Sequence, residues 1–348
     1  MSSEWRGAEE LATLVAAGLP VLTARGAVFD NVRFHADDRG VGVWVVDANR
    51  PARVLLPPAC LVPHAAIDLS GPVPVIDPTA CPDAPLRDYA ERELRYALAP
   101  DRVNAHRALL QAFAALPESL RRALTGSALL PGLLSTPIPD DATLRQALLQ
   151  ARVLRAHDGT PVFMPLLDFV NHHGDAGSFD VTEAGIGVHG KAADSGELFV
   201  AYNIGDAFHL LNGYAFPGHS AFAFSMGMEF VTHGGDRVRV ARRFTEFQAN
   251  GPEGLRLPQI ERAGGAVVCA HVWLGSARTP RKPARSFVAA WTQAGLANGA
   301  AVFAQIQRLN WLHVLDIADQ TRGLSGEAAD MVYAAARMQL QRMADHLL

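Results

Sequence analysis

The densest group of chemistry-bearing side chains is Asp168-Phe169-Val170-Asn171-His172-His173, at the end of the apolar run PVFMPLLDFV, with His189 and Tyr202 further along. Carboxylate and imidazole suit divalent first-row ions, so Asp168 with His172, His173 and His189 is one ligand set to weigh. The spacing lacks the HExxH pattern that puts two imidazoles on one helical face, and no metal is expected. The competing use is local. Asp168 and Asn171 can cap a turn by bonding nearby backbone groups, with the histidines partly exposed.

The elements that must position this group read as follows. Residues 4–17 form a short amphipathic helix, and 18–63 change to β-branched runs such as VGVWVVDA and ARVLLPP, broken by Gly, Asp and Pro. From Leu86 to about Arg155 the period lengthens, and LRDYAERELRYAL, RALLQAFAAL, ESLRRAL and ATLRQALLQARVL place apolar residues three and four apart. Strand-like runs return at PVFMPLLDFV, GIGVHG, ELFVAYN and AFAFSMGMEFV, and helical periodicity resumes from about Ser286. A β region split by a helical insert requires residues before 63 and after 160 to meet, and the site is expected at that junction. No GxGxxG follows a strand, and strands and helices do not alternate singly, so a doubly wound dinucleotide fold is disfavoured.

Composition narrows the function class. The 348 residues carry Lys+Arg 31 against Asp+Glu 35, a net charge of -4, with no basic excess for a phosphate backbone, so nucleic acid is not an expected partner. Hydrophobic residues make up 49% and charged residues 19%, enough to build a core and too apolar for a disordered chain. The uncharged stretches 207–228 and 286–307 contain His209, Asn212, Pro217 and His219, and Thr292, Gln293 and Asn298, and read as buried elements, not membrane spans. Cys60, Cys81 and Cys269 are scattered and odd in number, which suits a reducing cytoplasm better than a disulfide framework. Lysine occurs only at Lys191 and Lys282, and with abundant Ala and Gly this suggests a GC-rich bacterial genome.

Four motifs in order resemble the SET-domain methyltransferases, in particular the branch acting on the Rubisco large subunit and on actin histidine. Gly40-Val41-Gly42-Val43-Trp44-Val45 is similar to the family's N-terminal glycine turn, and Met164-Pro165-Leu166-Leu167-Asp168-Phe169-Val170-Asn171-His172 to its P-x-x-D-x-x-N-H segment. Gly196-Glu197-Leu198-Phe199-Val200-Ala201-Tyr202 resembles the strand that carries its tyrosine, and Leu210-Leu211-Asn212-Gly213-Tyr214-Ala215-Phe216 its L-L-x-x-Y-G-F motif, with Ala215 in the glycine's place. His173 stands where a serine is usual. The resemblance covers about residues 20–217.

The resemblance implies an α+β fold: a β-rich SET core of small sheets with an inserted helical lobe and a C-terminal helical lobe. The corresponding segments are 20–85 and 157–230 for the core, 86–156 for the insert and 231–348 for a substrate-binding-like lobe. It implies S-adenosylmethionine as cofactor, bound by Gly40, Val41, Gly42, Arg152, Asp168, Asn171, His172, Tyr202 and Phe216. Asn171 and His172 would contact its amino acid and adenine parts, and Arg152 its methionine carboxylate. Tyr202 matches the catalytic tyrosine, and Tyr214 lines the substrate channel. The implied activity is N-methylation of a lysine, or another amine or imidazole nitrogen, in a protein or peptide. The alternatives are a small-metabolite or biosynthetic-peptide acceptor, and a SET-like binding protein without catalysis.

Overall fold

The structure is a computed structural model and describes residues 7–37, 40–191, 193, 196–202, 205–242, 258–277, 279 and 281–344. The fold is α+β, with helices and several small sheets. The chain packs as two compact units, residues 1–108 with 139–202, and residues 109–138 with 203–348, the first division falling inside the helix Pro100–Ala114.

In the first unit the helix Ala8–Thr23 buries Leu11, Leu14, Val15, Gly18 and Leu22, a stripe at helical spacing. Gly18 is needed there: a Cβ would stand 2.3 Å from Cζ of Tyr89 on the helix Ala84–Ala97, whose ring fills that space. Strands from either side of the helices complete the same sheets. Val54 pairs with Val188 and Leu55 with Gly187 in an antiparallel sheet of order Val28–Asp30, Ala52–Leu56, Gly185–Gly190, Asp180–Thr182. Val62 pairs with Phe163 in a second sheet that also contains Val153–Arg155. The meeting of residues before 63 with residues after 160 is thus made by main-chain hydrogen bonds. Val32–Asp37 and Gly40–Val45 form a separate hairpin. Val43, Val54, Leu56, Leu94, Phe163, Leu166 and Leu167 share one buried core.

PVFMPLLDFV departs from a continuous strand. Pro161–Phe163 is extended, and after Leu166 at φ 62° the chain makes a 3-10 turn over Leu167–Phe169. Residues 196–202 likewise run as a bridged extended segment, because their backbone groups are divided between two different neighbours.

The second unit places Ala207–Tyr214 as a helix and pairs Phe222–Phe224 with Trp273–Ser276. The segment 231–348, expected as a helical lobe, opens with strands before its helices. Arg237–Ala241 lies parallel to Ala266–Ala270, which is flanked by Gln259–Ala263, and Met228–Val231 completes that sheet. RVRVA alternates apolar and charged residues, and its burial alternates with it, a period-2 pattern too short to stand out by eye. The helices Lys282–Gln293, Gly299–Thr321 and Glu327–Ala344 follow. Among the described residues no helix is long and apolar enough to cross a membrane.

Candidate functional site

The segment 164–173 is set from its buried end. Leu166 donates its backbone N–H to both carboxyl oxygens of Glu93, at 3.1 and 3.0 Å, and Glu93 has no exposed surface. Two residues on, Asp168 donates its N–H to the Met164 carbonyl at 3.0 Å and its carboxylate pairs with Nη1 of Arg152. Arg152 is delivered by the helix Asp141–Gln150, capped at its start by Asp140, whose side chain accepts from Thr143 N–H at 2.9 Å.

Burial raises the pKa of both acids. For Glu93 burial comes first and the charge of Asp168 second, and together they push it up to about 8. Burial raises Asp168 as well, opposed by Arg152 beside it. Burial works against the Arg152 charge, but the contact with Asp168 outweighs it and raises the guanidinium's pKa. One guanidinium faces two carboxyls, and the proton stays on Glu93 at neutral pH.

Beyond Asp168 the chain emerges at Asn171 and His172, where the segment 196–202 runs against it. Val200 N–H donates to the Asn171 carbonyl at 2.9 Å, and His173 N–H to the Val200 carbonyl at 3.0 Å. On its other side this segment bonds the glycine strand: Leu198 N–H donates to the Val43 carbonyl at 2.7 Å and Val45 N–H to the Gly196 carbonyl at 2.9 Å. Three of the four motifs are therefore adjacent.

Tyr202 ends the segment. Its hydroxyl donates to the Val170 carbonyl at 3.0 Å, and its backbone N–H donates to Nδ1 of His172 at 3.1 Å. Accepting at Nδ1 puts the proton of a neutral His172 on Nε2. The two rings lie 5.2 Å apart, tilted by 53°.

Asn171 is exposed and donates from Nδ2 to Oε1 of Glu197 at 2.7 Å. A Cβ on Gly42 would lie 2.6 Å from that oxygen and 3.3 Å from Asn171 Nδ2. The close approach to the bare α-carbon of Gly42 is thus made by these two side chains. Gly40, at φ 145°, opens the strand opposite Asp37, and Val41 is buried.

The alternative ligand set does not gather. Asp168 is committed to Arg152, His189 pairs with Asp180 on the adjacent strand, and His173 lies tilted against Phe199 with centroids 5.4 Å apart. His173 Nδ1 also accepts from Asp175 N–H at 3.3 Å, which gives this position a turn-forming role. Tyr214 and Phe216 belong to the second unit, with ring centroids 6.1 Å apart, and Ala215 between them holds φ 58°, ψ 31° at the helix end. The Phe216 ring folds over Gly218, where a Cβ would lie 2.6 Å from Cε2.

Two groups escape the motif reading. Glu93 sits on the apolar face of its helix with Leu86, Ala90, Leu94 and Ala97, and a glutamate in such a stripe was the available clue. Asp206 in the second unit is fully buried. It takes Nη2 and Nη1 of Arg242 at 2.6 and 3.0 Å, His209 N–H at 2.9 Å, Phe224 N–H at 3.3 Å and Gln339 Nε2 at 3.2 Å.

No protein-family model matches the chain. It is 26% identical over 115 residues to an uncharacterized protein of Aquifex aeolicus (strain VF5), a match that spans 32% of this chain and 92% of that protein. Among solved structures it is similar to the SET domain of LSMT bound to lysine and AdoHcy, at 13% identity and a TM-score of 0.41, over 96% of this chain and 90% of that one.

Proposed function

We propose that the chain is an S-adenosylmethionine-dependent N-methyltransferase with a SET-type core, acting on a lysine, or another amine or imidazole nitrogen, of a protein or peptide. The observation that carries the reading is the junction in the first unit. The glycine strand, the Asn171-His172 segment and the Tyr202 segment are far apart in sequence, yet bonded directly to one another, with the Tyr202 hydroxyl anchored on Val170.

The residues present fit the cofactor in kind. Asn171 keeps its Oδ1 without a hydrogen-bond partner among the described residues, an acceptor suited to an ammonium. Arg152 spends only Nη1 on Asp168 among the described residues, and its remaining edge suits the methionine carboxylate. His172 and the Gly40–Gly42 main chain would flank the adenosine part.

The cofactor supplies an electrophilic methyl on a sulfonium. A lysine with pKa near 10.4 is neutral at pH 7 only about once in 2,500 molecules, a cost of about 4.6 kcal/mol, which an apolar channel lowers by disfavouring the ammonium. The amine lone pair forms the new N–C bond as the C–S bond breaks and its electron pair goes to sulfur, leaving S-adenosylhomocysteine. The Tyr202 oxygen, its hydrogen held by Val170, positions and stabilises the spreading positive charge.

The test is transfer of labelled methyl from S-adenosylmethionine to arrays of lysine- and histidine-containing peptides. Incorporation by the native protein, with turnover reduced at least tenfold in Tyr202→Phe, supports the reading. Cofactor binding without transfer to any acceptor contradicts catalysis.

A further inference from the structure

We propose that Glu93 is the positioning residue of the cofactor-facing segment, holding Leu166 in a left-handed conformation from which Asp168, Asn171 and His172 are set. The inference rests on the methyltransferase reading for the identity of the ligand, and on the geometry alone for the clamp.

Glu93 is fully buried, and both of its oxygens accept from the N–H of Leu166, with the Tyr89 hydroxyl beside them. Placing a carboxyl among Ala90, Leu94 and Ala97 is costly, and this is an unusual residue to keep there for packing. Leu166 itself is strained. Its φ of 62° and ψ of -36° place a bulky side chain in a region that few residues other than glycine adopt. Released from Glu93, it would relax to negative φ and re-aim the turn Leu167–Phe169 that follows.

The contacts made within and beyond that turn depend on its direction. Asp168 meets Arg152, Val170 accepts from the Tyr202 hydroxyl, and Asn171 reaches Glu197. Glu93 touches none of the groups proposed to meet the cofactor and acts through the backbone between them.

The charges facing the carboxyl are Asp168 and Arg152 from the segments packed against its helix, with the titratable Tyr89 beside it on the helix itself and Arg92 facing Tyr89. Arg102 in turn faces Asp168. A neutral Glu93 leaves Asp168 and Arg152 as a balanced pair. Ionising it sets a second negative charge against Asp168 and works against the arrangement. Cofactor affinity therefore carries an alkaline dependence that originates at Glu93.

The experiment compares Glu93→Leu and Glu93→Gln with the native chain. Amide exchange of residues 164–172 is followed without ligand, and S-adenosylhomocysteine affinity from pH 6 to 9. Glu93→Leu is expected to exchange at least tenfold faster in this segment, with Gly185–Gly190 unchanged, and to bind at least tenfold more weakly. Glu93→Gln keeps an acceptor and is expected to restore both. Its affinity profile should also lack the alkaline fall of the native chain, a difference from which titration of the cofactor's own amino group cancels.

Unchanged exchange in Glu93→Leu overturns the clamp. Identical pH profiles for the native chain and Glu93→Gln overturn it also, and decide the matter if Glu93→Leu does not fold. A native chain that binds no S-adenosylhomocysteine removes the methyltransferase reading, while the exchange comparison still supports or overturns the clamp.

Discussion

Asn171 donates to Glu197 at 2.7 Å beside the bare α-carbon of Gly42, joining three motifs that are distant in sequence. Gly42→Ala pushes a methyl to 2.6 Å from the Glu197 carboxylate, which is the far end of a flexible side chain and can swing aside. The expected outcome is a small stability change, under about 1 kcal/mol, since nothing rigid is struck. S-adenosylmethionine affinity should fall at least tenfold because Asn171 loses its tether. Thermal melts and calorimetry on the same preparation separate the two effects.

The Asp206–Arg242 pair has a different character. Both side chains are almost wholly buried, with exposures of 0% and 3%, and removing one partner strands the other. Arg242→Met is expected to cost about 3–5 kcal/mol by chemical denaturation.

Acid should weaken the same hub. Burial favours a protonated Asp206, but Arg242 and the N–H of His209 outweigh it and lower its pKa below the ordinary 3.8. The stability lent by the ionised carboxylate is present above that ordinary value and lost as pH falls through the lower folded one. Asp206→Asn should flatten the acid limb of a stability profile below pH 3.8 while lowering stability at neutral pH.

Glu93 works in the opposite sense. Its pKa rises from 4.5 to about 8 on folding, so its contribution is fully present below 4.5 and lost as pH rises through about 8. Native stability should decline across that window by up to about 1.4 kcal/mol per pH unit from this group. Glu93→Gln should remove that slope in denaturation series from pH 5 to 8.5.

Ala215 closes the helix Ala207–Tyr214 at φ 58°, a conformation that favours glycine. Ala215→Gly is expected to raise stability by about 1 kcal/mol, seen as a higher melting temperature.

The sequence made the α+β class legible because VGVWVVDA, GIGVHG and the helical runs from Leu86 have distinct periods. It also brought out the Asp168 to Tyr202 cluster, because those residue types are concentrated. The Arg152–Asp168 pair is not legible in the sequence, since each residue matches a cofactor position separately and a separation of 16 does not by itself pair them. Glu93 was hidden in a helix rich in charge, where one glutamate of LRDYAERELRYAL looks like the rest until the helix has a buried face. The strands after 231 were obscured by their length of four or five residues, which leaves the period undetermined. Which backbone group Tyr202 would use could not be read at all, because Val170 is 32 residues away and is brought to it only by the fold.

The most direct test of the central claim is calorimetric binding of S-adenosylmethionine and S-adenosylhomocysteine to the purified chain, with Asn171→Ala alongside. Both ligands are expected to bind the native protein, and the variant, correctly folded by its melt, to lose at least tenfold in affinity for each. Absence of binding to the native protein would contradict it, and the roles proposed for Asn171, His172 and Tyr202 would fall with it.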